Sequence, residues 1–390
     1  MLIVFGLLAA WLATAASSGR SDEIPFLKHT IDLGANEPCA WADLNGDGRL
    51  DLVSGENWYE APKWTKHHFR DLPFQDNYID DFSDLPLDVD GDGRVDIISV
   101  SWFSKKMAWW RNPGPSNKPW TETLVETTSP IEFAFLVDLD NDGKPNEILP
   151  QFGDTKQPLA WYEAKNGKFE KHVVSPKSYG HGIGAGDVNG DGRADILTAK
   201  GWFEAPANPR GPNEWTFHPD WDLSADGGLG FLHVLDVNGD GKPDIVTSNA
   251  HNYGVFWMER MPDGTWKKRI IDEAFSQAHA LSLVDWTGRG GTKSILTGKR
   301  FMAHNGHDPG EREPLGLFWY EWLAGPKQWA RHVIEYGGRT GAGMQIAVAD
   351  YDKDGDLDFA VAGKSGLFLF ENQTKTGHSA IAGGWPASVR

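Results

Sequence analysis

The stretch Asp187-Val-Asn-Gly-Asp-Gly-Arg-Ala-Asp195 places carboxylate or amide side chains at positions one, three, five and nine, with glycine at position six. This spacing of oxygen ligands suits a hard cation such as Ca²⁺. Small and β-branched residues stand on both sides of the stretch, which indicates a turn between two strands and not the helix-flanked loop of an EF-hand. The sequence therefore predicts a calcium-binding hairpin.

The same loop occurs six times along the chain. A single copy would often be no more than a polar turn, but six copies in register favour calcium binding. The predicted ligands are Asp43, Asn45, Asp47 and Asp51; Asp88, Asp90, Asp92 and Asp96; Asp138, Asp140 and Asp142; Asp187, Asn189, Asp191 and Asp195; Asp236, Asn238, Asp240 and Asp244; and Asp350, Asp352, Asp354 and Asp358.

Two loops depart from this pattern. The third has Asn146 at position nine in place of an aspartate. A seventh copy, which begins at Asp285, has Arg289 at position five and Lys293 at position nine. Because a fixed positive side chain can replace the ion, we expect no metal in that loop.

Successive loops begin 45 to 50 residues apart, with one longer interval of 65 residues before Asp350. This period matches one four-stranded propeller blade. The sequence thus predicts an all-β fold, a seven-bladed β-propeller of four-stranded blades. The last repeat lacks a fourth strand after Phe370, and the segment from Pro25 to Asp32 has the missing pattern. We therefore expect the N-terminal strand to complete the last blade, which would remove a free sheet edge.

Each repeat also carries an aromatic third strand, such as Asn57-Trp-Tyr-Glu60 or Gly201-Trp-Phe-Glu204. We expect these tryptophans to pack between blades. Histidines of the outer strands are expected to have no role in a site, namely His67, His68, His172, His218 and His332.

With these loops, the repeat unit resembles the FG-GAP or VCBS repeat propellers, the group that includes the integrin α-subunit head. The resemblance spans about residues 24 to 372. A looser resemblance is to the propeller domain of aldos-2-ulose dehydratases and related secreted bacterial VCBS proteins. It is based on the Gly201-Trp-Phe-Glu-Ala-Pro206 type of strand, on Gly180-His-Gly182 and on the stretch from Lys299 to Gly310. That resemblance implies metal-assisted dehydration of a keto sugar.

The chain has 390 residues and a formal net charge of −18, to which the aspartate loops contribute heavily. No basic stripe exists to follow a phosphate backbone, so nucleic acid is not an expected partner. Residues 1–16 are apolar and end in small residues, which predicts a signal peptide and a secreted, periplasmic or extracellular protein. We expect residues 24–372 to form the propeller, residues 373–390 to form a flexible tail, and no membrane span. Cys39 is the only cysteine, so no disulfide within the chain is possible.

A functional site is predicted at the end of the propeller opposite the calcium loops. Residues six positions before each first aspartate should ring the channel mouth: Glu37, Phe82, Glu132, His181, Gly230, His279 and Met344. The sixth repeat adds a long polar insertion between Gly298 and Glu313, of the kind that often carries function. Its side chains His304, Asn305, His307 and Asp308 could reach over the same mouth as His181, His279 and His251. The candidate catalytic residues are His181, His279, His304, His307, Lys299 and Arg300. A cluster of histidines and carboxylates there could bind a transition metal such as Zn²⁺ or perform acid and base chemistry.

Three functions are compatible with these observations. The first is a secreted calcium-binding propeller that binds a carbohydrate or another small polar ligand at the channel mouth. The second is a metal-dependent lyase or dehydratase, a carbon–oxygen lyase acting on a keto or acidic sugar. In that case His181 or His279 would serve as the base, and Lys299 or Arg300 would hold the anionic or carbonyl group. The third is an integrin-like platform whose partner is another protein.

Overall fold

The computed structural model describes residues 21–115, 118–211, 215–288 and 293–375. The predicted signal peptide and residues 376–390 of the predicted tail lie outside these ranges. Within them, the regular structure is β-strand apart from the short 3-10 helix Ser224–Asp226, and no helix is long and apolar enough to cross a membrane.

The strands follow one another as short antiparallel runs. The first fifteen are β1 (Phe26–Asp32), β2 (Ala40–Ala42), β3 (Asp51–Ser54), β4 (Asn57–Glu60), β5 (Thr65–His68), β6 (Phe74–Gln75), β7 (Tyr78–Ile79), β8 (Ser83–Leu87), β9 (Asp96–Val100), β10 (Lys106–Arg111), β11 (Thr121–Thr127), β12 (Ile131–Val137), β13 (Glu147–Phe152), β14 (Leu159–Lys165) and β15 (Lys168–Ser175). The remainder are β16 (Ile183–Gly186), β17 (Asp195–Thr198), β18 (Gly201–Glu204), β19 (Thr216–His218), β20 (Phe231–Leu235), β21 (Asp244–Ser248), β22 (Tyr253–Arg260), β23 (Trp266–Ser276), β24 (Leu281–Val284), β25 (Ser294–Gly298), β26 (Gly316–Leu323), β27 (Gln328–Tyr336), β28 (Ile346–Ala349), β29 (Asp358–Gly363) and β30 (Gly366–Asn372).

The strands form a β-propeller with five four-stranded blades, so the prediction of seven separate blades is wrong. The five blades are β2 to β5, β8 to β11, β12 to β15, β24 to β27, and β28 to β30 with β1. The strands of the fourth and fifth repeats instead join in one continuous eight-stranded sheet, β16 to β23. A two-stranded hairpin, β6 and β7, lies between the first two blades in the sequence.

Glycine at the inner strand explains why these two repeats merge. Strands β16 and β20 pair in parallel, with Gly184 opposite Leu232. A Cβ atom built on Gly184 would lie 2.0 Å from the Leu232 carbonyl oxygen, so only glycine allows the two backbones to approach this closely. The spacing of the aspartate loops contains no information about this contact.

The first strand closes the ring. β1 pairs antiparallel with β30, and Phe26 lies opposite Asn372. The N-terminal strand is therefore the outer strand of the last sheet, as the sequence predicts. Phe26 also packs edge-on against Phe359, with ring centroids 5.2 Å apart.

Aromatic residues of the third strands fill the space between sheets, as predicted. Trp161, for example, is completely buried. Its ring stacks on the imidazole of His172, with centroids 4.0 Å apart. The same tryptophan–histidine stack occurs at three further third strands, in the pairs Trp58 and His67, Trp202 and His218, and Trp319 and His332. These outer-strand histidines are thus part of the packing, in agreement with the sequence analysis.

The strand order separates two ends of the molecule. Each aspartate loop connects the first and second strands of a repeat, as between β2 and β3 or between β8 and β9. The starts of the first strands and the connections between second and third strands lie at the opposite end, because neighbouring strands are antiparallel. Candidate site residues and aspartate loops therefore occupy different ends.

Candidate functional site

Three histidines and one glutamate converge at the centre of the propeller, at the end opposite the aspartate loops. Glu132 lies in β12, His181 precedes β16, His251 lies between β21 and β22, and His279 precedes β24. The Nε2 atom of His181 is 2.5 Å from a Glu132 carboxylate oxygen and 2.9 Å from Nε2 of His251. The other Glu132 oxygen is 3.6 Å from Nε2 of His279 and 4.0 Å from Nε2 of His251. We call these four residues the central cluster.

The other ring nitrogen of each histidine faces an acceptor. Nδ1 of His181 is 2.7 Å from the Leu229 carbonyl oxygen, and Nδ1 of His251 is 3.0 Å from an Asp308 carboxylate oxygen. Nδ1 of His279 is 3.4 Å from the Gln277 carbonyl oxygen. When Nδ1 carries the proton, the Nε2 lone pair is free to bind a metal, and such second contacts orient metal-binding histidines in general. All three imidazoles thus direct their Nε2 atoms to one place.

Close backbone approach makes this convergence possible. Gly228 has a φ angle of 78°, in the left-handed region. A Cβ atom at Gly228 would lie 3.0 Å from ring carbons of both His181 and His251. Phe133 covers the cluster from one side, with its ring centroid 5.4 Å from that of His181. The dipeptide Gly227-Gly228 is a sequence feature that indicates such a close approach of the backbone to the histidine rings, but it was not used in the prediction.

Burial and charge set the protonation of the cluster. Burial lowers the pKa of His279 well below its ordinary value, and the positive Arg300 adds to this effect. Burial also lowers the pKa of His251. Burial alone would lower the pKa of His181 as well, but the Glu132 carboxylate outweighs it and raises that pKa. Burial opposes ionisation of Glu132, yet His181 and His279 hold its pKa well below the usual range.

These four side chains fit a transition metal. Zinc binds imidazole nitrogen at 2.0 to 2.1 Å, so the ligand atoms of a tetrahedral site are roughly 3.3 Å apart. The cluster distances lie on both sides of that value, and the ligand atoms of Glu132, His251 and His279 all lie within 4.8 Å of one another. Nε2 of His279 is buried and has no hydrogen-bond partner among the described residues. An unpartnered buried nitrogen is costly in a purely structural cluster but expected of a metal ligand.

A buried arginine supports the glutamate. Arg300 is 1% exposed, and its Nε donates to Glu37 at 3.0 Å. Its Nη1 donates to Glu132 at 3.3 Å. Two buried carboxylates therefore share one guanidinium, which orients the same Glu132 oxygen that lies 3.6 Å from His279.

The long insertion of the sixth repeat is anchored by Lys299. This lysine is fully buried, and its Nζ donates to Ser276 Oγ at 2.8 Å and to the Gly310 carbonyl at 2.7 Å. Lys299 therefore holds the insertion in place and does not reach the cluster. Glu311 closes the turn, because its carboxylate accepts hydrogen bonds from the backbone of Gly306 and Asp308.

The insertion places His304 and Asp308 over the cluster. Nδ1 of His304 is 2.9 Å from one Asp308 oxygen, while the other oxygen contacts His251. Burial opposes ionisation of Asp308, but hydrogen bonds from His251 and His304 hold its pKa well below the usual range. The His304 ring stacks on that of His251, with centroids 4.2 Å apart. His304 thus extends the cluster outward to solvent.

Of the six predicted catalytic candidates, the structure brings together four. His181 and His279 belong to the central cluster, and Arg300 and His304 border it. Lys299 serves as an anchor, and His307 is exposed with no contact to the cluster in the described part of the chain. Glu132 and His251 were predicted to lie at the channel mouth without an assigned role, and the contact of His251 with Asp308 was not predicted.

A small cavity opens beside the cluster. Its volume is about 250 Å³. Its walls combine aromatic and polar side chains, namely Asp76, Tyr78, Phe82, Trp102, Phe103, Glu132, Arg300, His304 and Asn305. A ligand in this cavity would meet Glu132 and His304 directly.

At the other end, the aspartate loops share one geometry. In the first loop, the Asp43 carboxylate accepts from the backbone N–H groups of Gly46 and Gly48, at 2.8 and 2.9 Å. The position-nine residue Asp51 is buried and accepts from Leu44 and Ala61, at 3.1 and 2.9 Å. Burial raises the pKa of Asp51 to about 6. A cation near these carboxylates would favour their ionised forms.

The third loop is one residue longer than the sequence analysis assumed. Glu147, and not Asn146, lies opposite Val137, the place that Asp51 takes opposite Ala42 in the first loop. A Glu147 oxygen accepts from the Leu139 N–H at 2.8 Å. Carboxylate oxygens of Asp138, Asp140 and Glu147 lie within 4.8 Å of one another. The longer side chain compensates for the extra residue.

In the seventh loop, Asp285 accepts from the Thr287 and Gly288 backbone, each at 3.0 Å. Arg289, the predicted replacement for the ion, lies outside the described residues. The prediction of a metal-free loop stays a prediction.

Family models match two of these repeats. Residues 88–148 match an FG-GAP-like repeat and residues 179–208 match an FG-GAP repeat. The chain is an FG-GAP repeat propeller. Among curated proteins, none matches the FG-GAP propeller at a significant level.

Solved structures with a similar fold have diverse functions. The FG-GAP propeller is similar to the exotype rhamnogalacturonan lyase YesX, with a TM-score of 0.51 and 11% identity over 89% of this chain and 73% of that one. Virginiamycin B lyase from Staphylococcus aureus gives a TM-score of 0.51 and 10% identity over 89% of this chain and 99% of that one. BBS1N, solved in complex with ARL6DN, gives a TM-score of 0.54 and 11% identity over 90% of this chain and 98% of that one. At such low identity these similarities show the fold alone.

Proposed function

We propose that this FG-GAP propeller is a metal-dependent carbon–oxygen lyase that acts on a sugar. The central cluster of Glu132, His181, His251 and His279 would hold a transition metal such as Zn²⁺. One observation carries the proposal: three imidazoles, that of His279 buried and those of His181 and His251 partly buried, contact acceptors through Nδ1 and direct Nε2 toward one carboxylate. Three protein nitrogens and a carboxylate would hold such a metal, and catalysis further requires a coordination position open to the adjacent cavity, where the substrate would bind.

The first chemical requirement is a polarised substrate. A metal in the cluster would act as a Lewis acid on a carbonyl or carboxylate oxygen of the sugar. That polarisation acidifies the hydrogen on the adjacent carbon. The cavity places such a substrate between Glu132 and His304.

The second requirement is a group that moves the proton. Asp308 accepts from Nδ1 of His304 at 2.9 Å, which leaves Nε2 of His304 for the substrate. His304 would take the proton from the acidified carbon, and the electrons of the broken C–H bond would form a carbon–carbon double bond. The neighbouring C–O bond then breaks, and the leaving hydroxyl takes the proton back from His304 and departs as water.

Calcium and export complete the proposal. We infer that the six intact aspartate loops bind Ca²⁺ as structural ions and that the protein works outside the cytosol. Extracellular calcium modules bind weakly, at about 0.1 to 1 mM, and fill only where calcium is abundant. The predicted signal peptide supports the same location.

Metal analysis of the purified full chain tests the central cluster. We expect about one transition-metal ion per chain after incubation with Zn²⁺ and removal of excess by gel filtration. The double variant His181→Ala, His279→Ala should lose this ion, because two of four ligands are gone. His218→Ala is the matched control, since that histidine stacks on Trp202 and contacts Glu204 in an outer strand, and its loss should leave the metal content unchanged.

Activity is tested on keto sugars and hexuronic acids by the ultraviolet absorbance of a conjugated double bond. We expect His304→Ala to retain the metal and lose at least 100-fold in rate. Metal binding without turnover on any of these sugars would reject the lyase and support a sugar-binding propeller. Calcium alone in the wild-type protein would reject both the metal cluster and the lyase.

A further inference from the structure

The cavity beside the central cluster has a wall of aromatic side chains. Tyr78 and Phe82 are buried and form its floor, at 6% and 3% exposure. Trp102 and Phe103 are partly exposed and form one side. Flat aromatic rings are the surfaces on which the C–H faces of a sugar ring pack, by burial of apolar area.

This wall is held rigidly. The Asp80 carboxylate accepts three backbone hydrogen bonds, from Trp102, Phe103 and Ser104, at 3.1, 2.9 and 2.7 Å. From below, Nζ of Lys364 lies 3.4 Å from the centre of the Tyr78 ring. Both sides of the aromatic wall are thus fixed before a ligand arrives, which lowers the entropy cost of binding.

The opposite wall is polar. Glu132, Arg300 and His304 face the aromatic rings, and Asp76 and Asn305 line the rim. These groups offer both donors and acceptors. A ring with hydroxyl groups at its edges and C–H groups on its faces matches this division.

A bridge between two separate segments limits the length of the ligand. Nδ2 of Asn305, in the sixth-repeat insertion, donates to the Asp76 carbonyl at 2.8 Å. Asp76 lies at the turn of the β6–β7 hairpin and has a φ angle of 52°, in the left-handed region. Because both bridge residues line the cavity, the bridge forms part of its wall. A polymer would need a groove that continues past this point.

We propose that the cavity is a subsite for one pyranose ring, either a free monosaccharide or the end of a chain. The inference rests on the proposed function, because it places the sugar against the same cluster. Its volume of about 250 Å³ suits one such ring and not several in a row. The FG-GAP propeller would then act at chain ends and not within a polysaccharide.

Binding is measured by calorimetry on the Zn²⁺-incubated full chain, with a panel of methyl pyranosides and hexuronic acids. We expect at least one monosaccharide to bind and Trp102→Ala to weaken it roughly tenfold, through loss of a stacking surface. The control is Phe74→Ala, since Phe74 is 64% exposed on the same hairpin and does not line the cavity. It should leave the affinity unchanged within twofold. If no monosaccharide binds, or if both variants behave alike, the subsite does not exist.

The length limit is tested with the trisaccharide of the monosaccharide that binds. The wild-type chain should bind the trisaccharide no more tightly than the monosaccharide. Asn305→Gly removes the bridging amide, and glycine retains the φ angle of 56° without strain. We expect the ratio of trisaccharide affinity to monosaccharide affinity to rise in this variant. A wild-type chain that already binds the trisaccharide at least tenfold more tightly would overturn the chain-end assignment.

Metal content is recorded for each sample, which separates the two proposals. Monosaccharide binding that depends on Trp102 in a chain without transition metal would support the subsite and reject the lyase. A metal-loaded chain that binds no monosaccharide would reject the subsite and leave the central cluster standing.

Discussion

His233 shows how one buried side chain makes stability depend on pH. Its Nε2 donates to the Leu281 carbonyl at 2.9 Å, which links β20 to β24, the first strand of the next repeat. Burial lowers the pKa of His233 to about 4, and the positive Lys293 contributes. In the unfolded chain a histidine takes up its proton near pH 6.5. The unfolded state therefore binds the proton first as the pH falls, and stability is lost from about pH 6.5 down to about pH 4.

We predict that His233→Gln reduces this pH dependence, because glutamine keeps a donor for Leu281 but does not titrate. Between about pH 7.5 and pH 5 the wild-type free energy of unfolding should fall by about 2 kcal/mol more than that of the variant. Urea unfolding at both pH values measures the difference. His68→Gln serves as control, since the His68 side chain is 56% exposed. Parallel pH curves for wild type and His233→Gln would contradict the prediction.

Single residues also show where sequence reasoning succeeds and where it stops. His181, His279 and Glu132 were placed in one ring because each stands six positions before a loop aspartate, and this offset fixes their place on an inner strand. The contact of Asp308 with His251 joins two segments through the fold of the insertion. Both residues were predicted to lie at the channel mouth, but no periodic pattern encodes their contact, so this pair was not predicted.

Among the elements, the pair β16 and β20 differs from the other inner strands by its direct parallel pairing. We predict that Gly184→Ala destabilises the protein by about 1 to 3 kcal/mol, because the new methyl group would overlap the Leu232 carbonyl and force the strands apart. Chemical denaturation measures the loss. Gly363→Ala is a matched control in another strand, since its Cβ would meet no atom closer than 3.9 Å. Equal stability of the two variants would show that the pairing is not tight.

The strands around each loop could be predicted because the loop chemistry is local. Aspartates at fixed offsets mark the end of one strand and the start of the next, as at Asp43 and Asp51. The fourth and fifth repeats merge because the Gly184 backbone packs closely against Leu232 in β20 of the next repeat. Local patterns contain no such information, so the prediction of seven separate blades failed. The assignment of Asn146 to position nine of the third loop was wrong for a simpler reason: that loop has one additional residue, which places Glu147 there.

For the molecule as a whole, the loops predict a calcium-dependent stability. Each filled site should add about 1.4 kcal/mol when free calcium is tenfold above its dissociation constant. We expect the melting temperature to rise with added CaCl₂ and to fall with a chelator. Asp187→Asn should reduce this response, because it removes the negative charge of the first ligand in one loop, whereas Asp285→Asn in the seventh loop should not. A melting temperature that calcium leaves unchanged would contradict the assignment of these loops.

Closure of the ring by β1 also orders events during synthesis. Phe26 pairs with Asn372, so β1, the earliest of the described strands to be synthesised, gains its partner only after β30, the last of them, has been made. Until then the outer position of the final sheet stays empty, and β1 exposes its own unpaired edge. A ribosome that stalls late would therefore release an open ring with two complementary edges. Such chains could pair with one another through these edges. Pairing of β30 with β1 covers both edges and prevents this association.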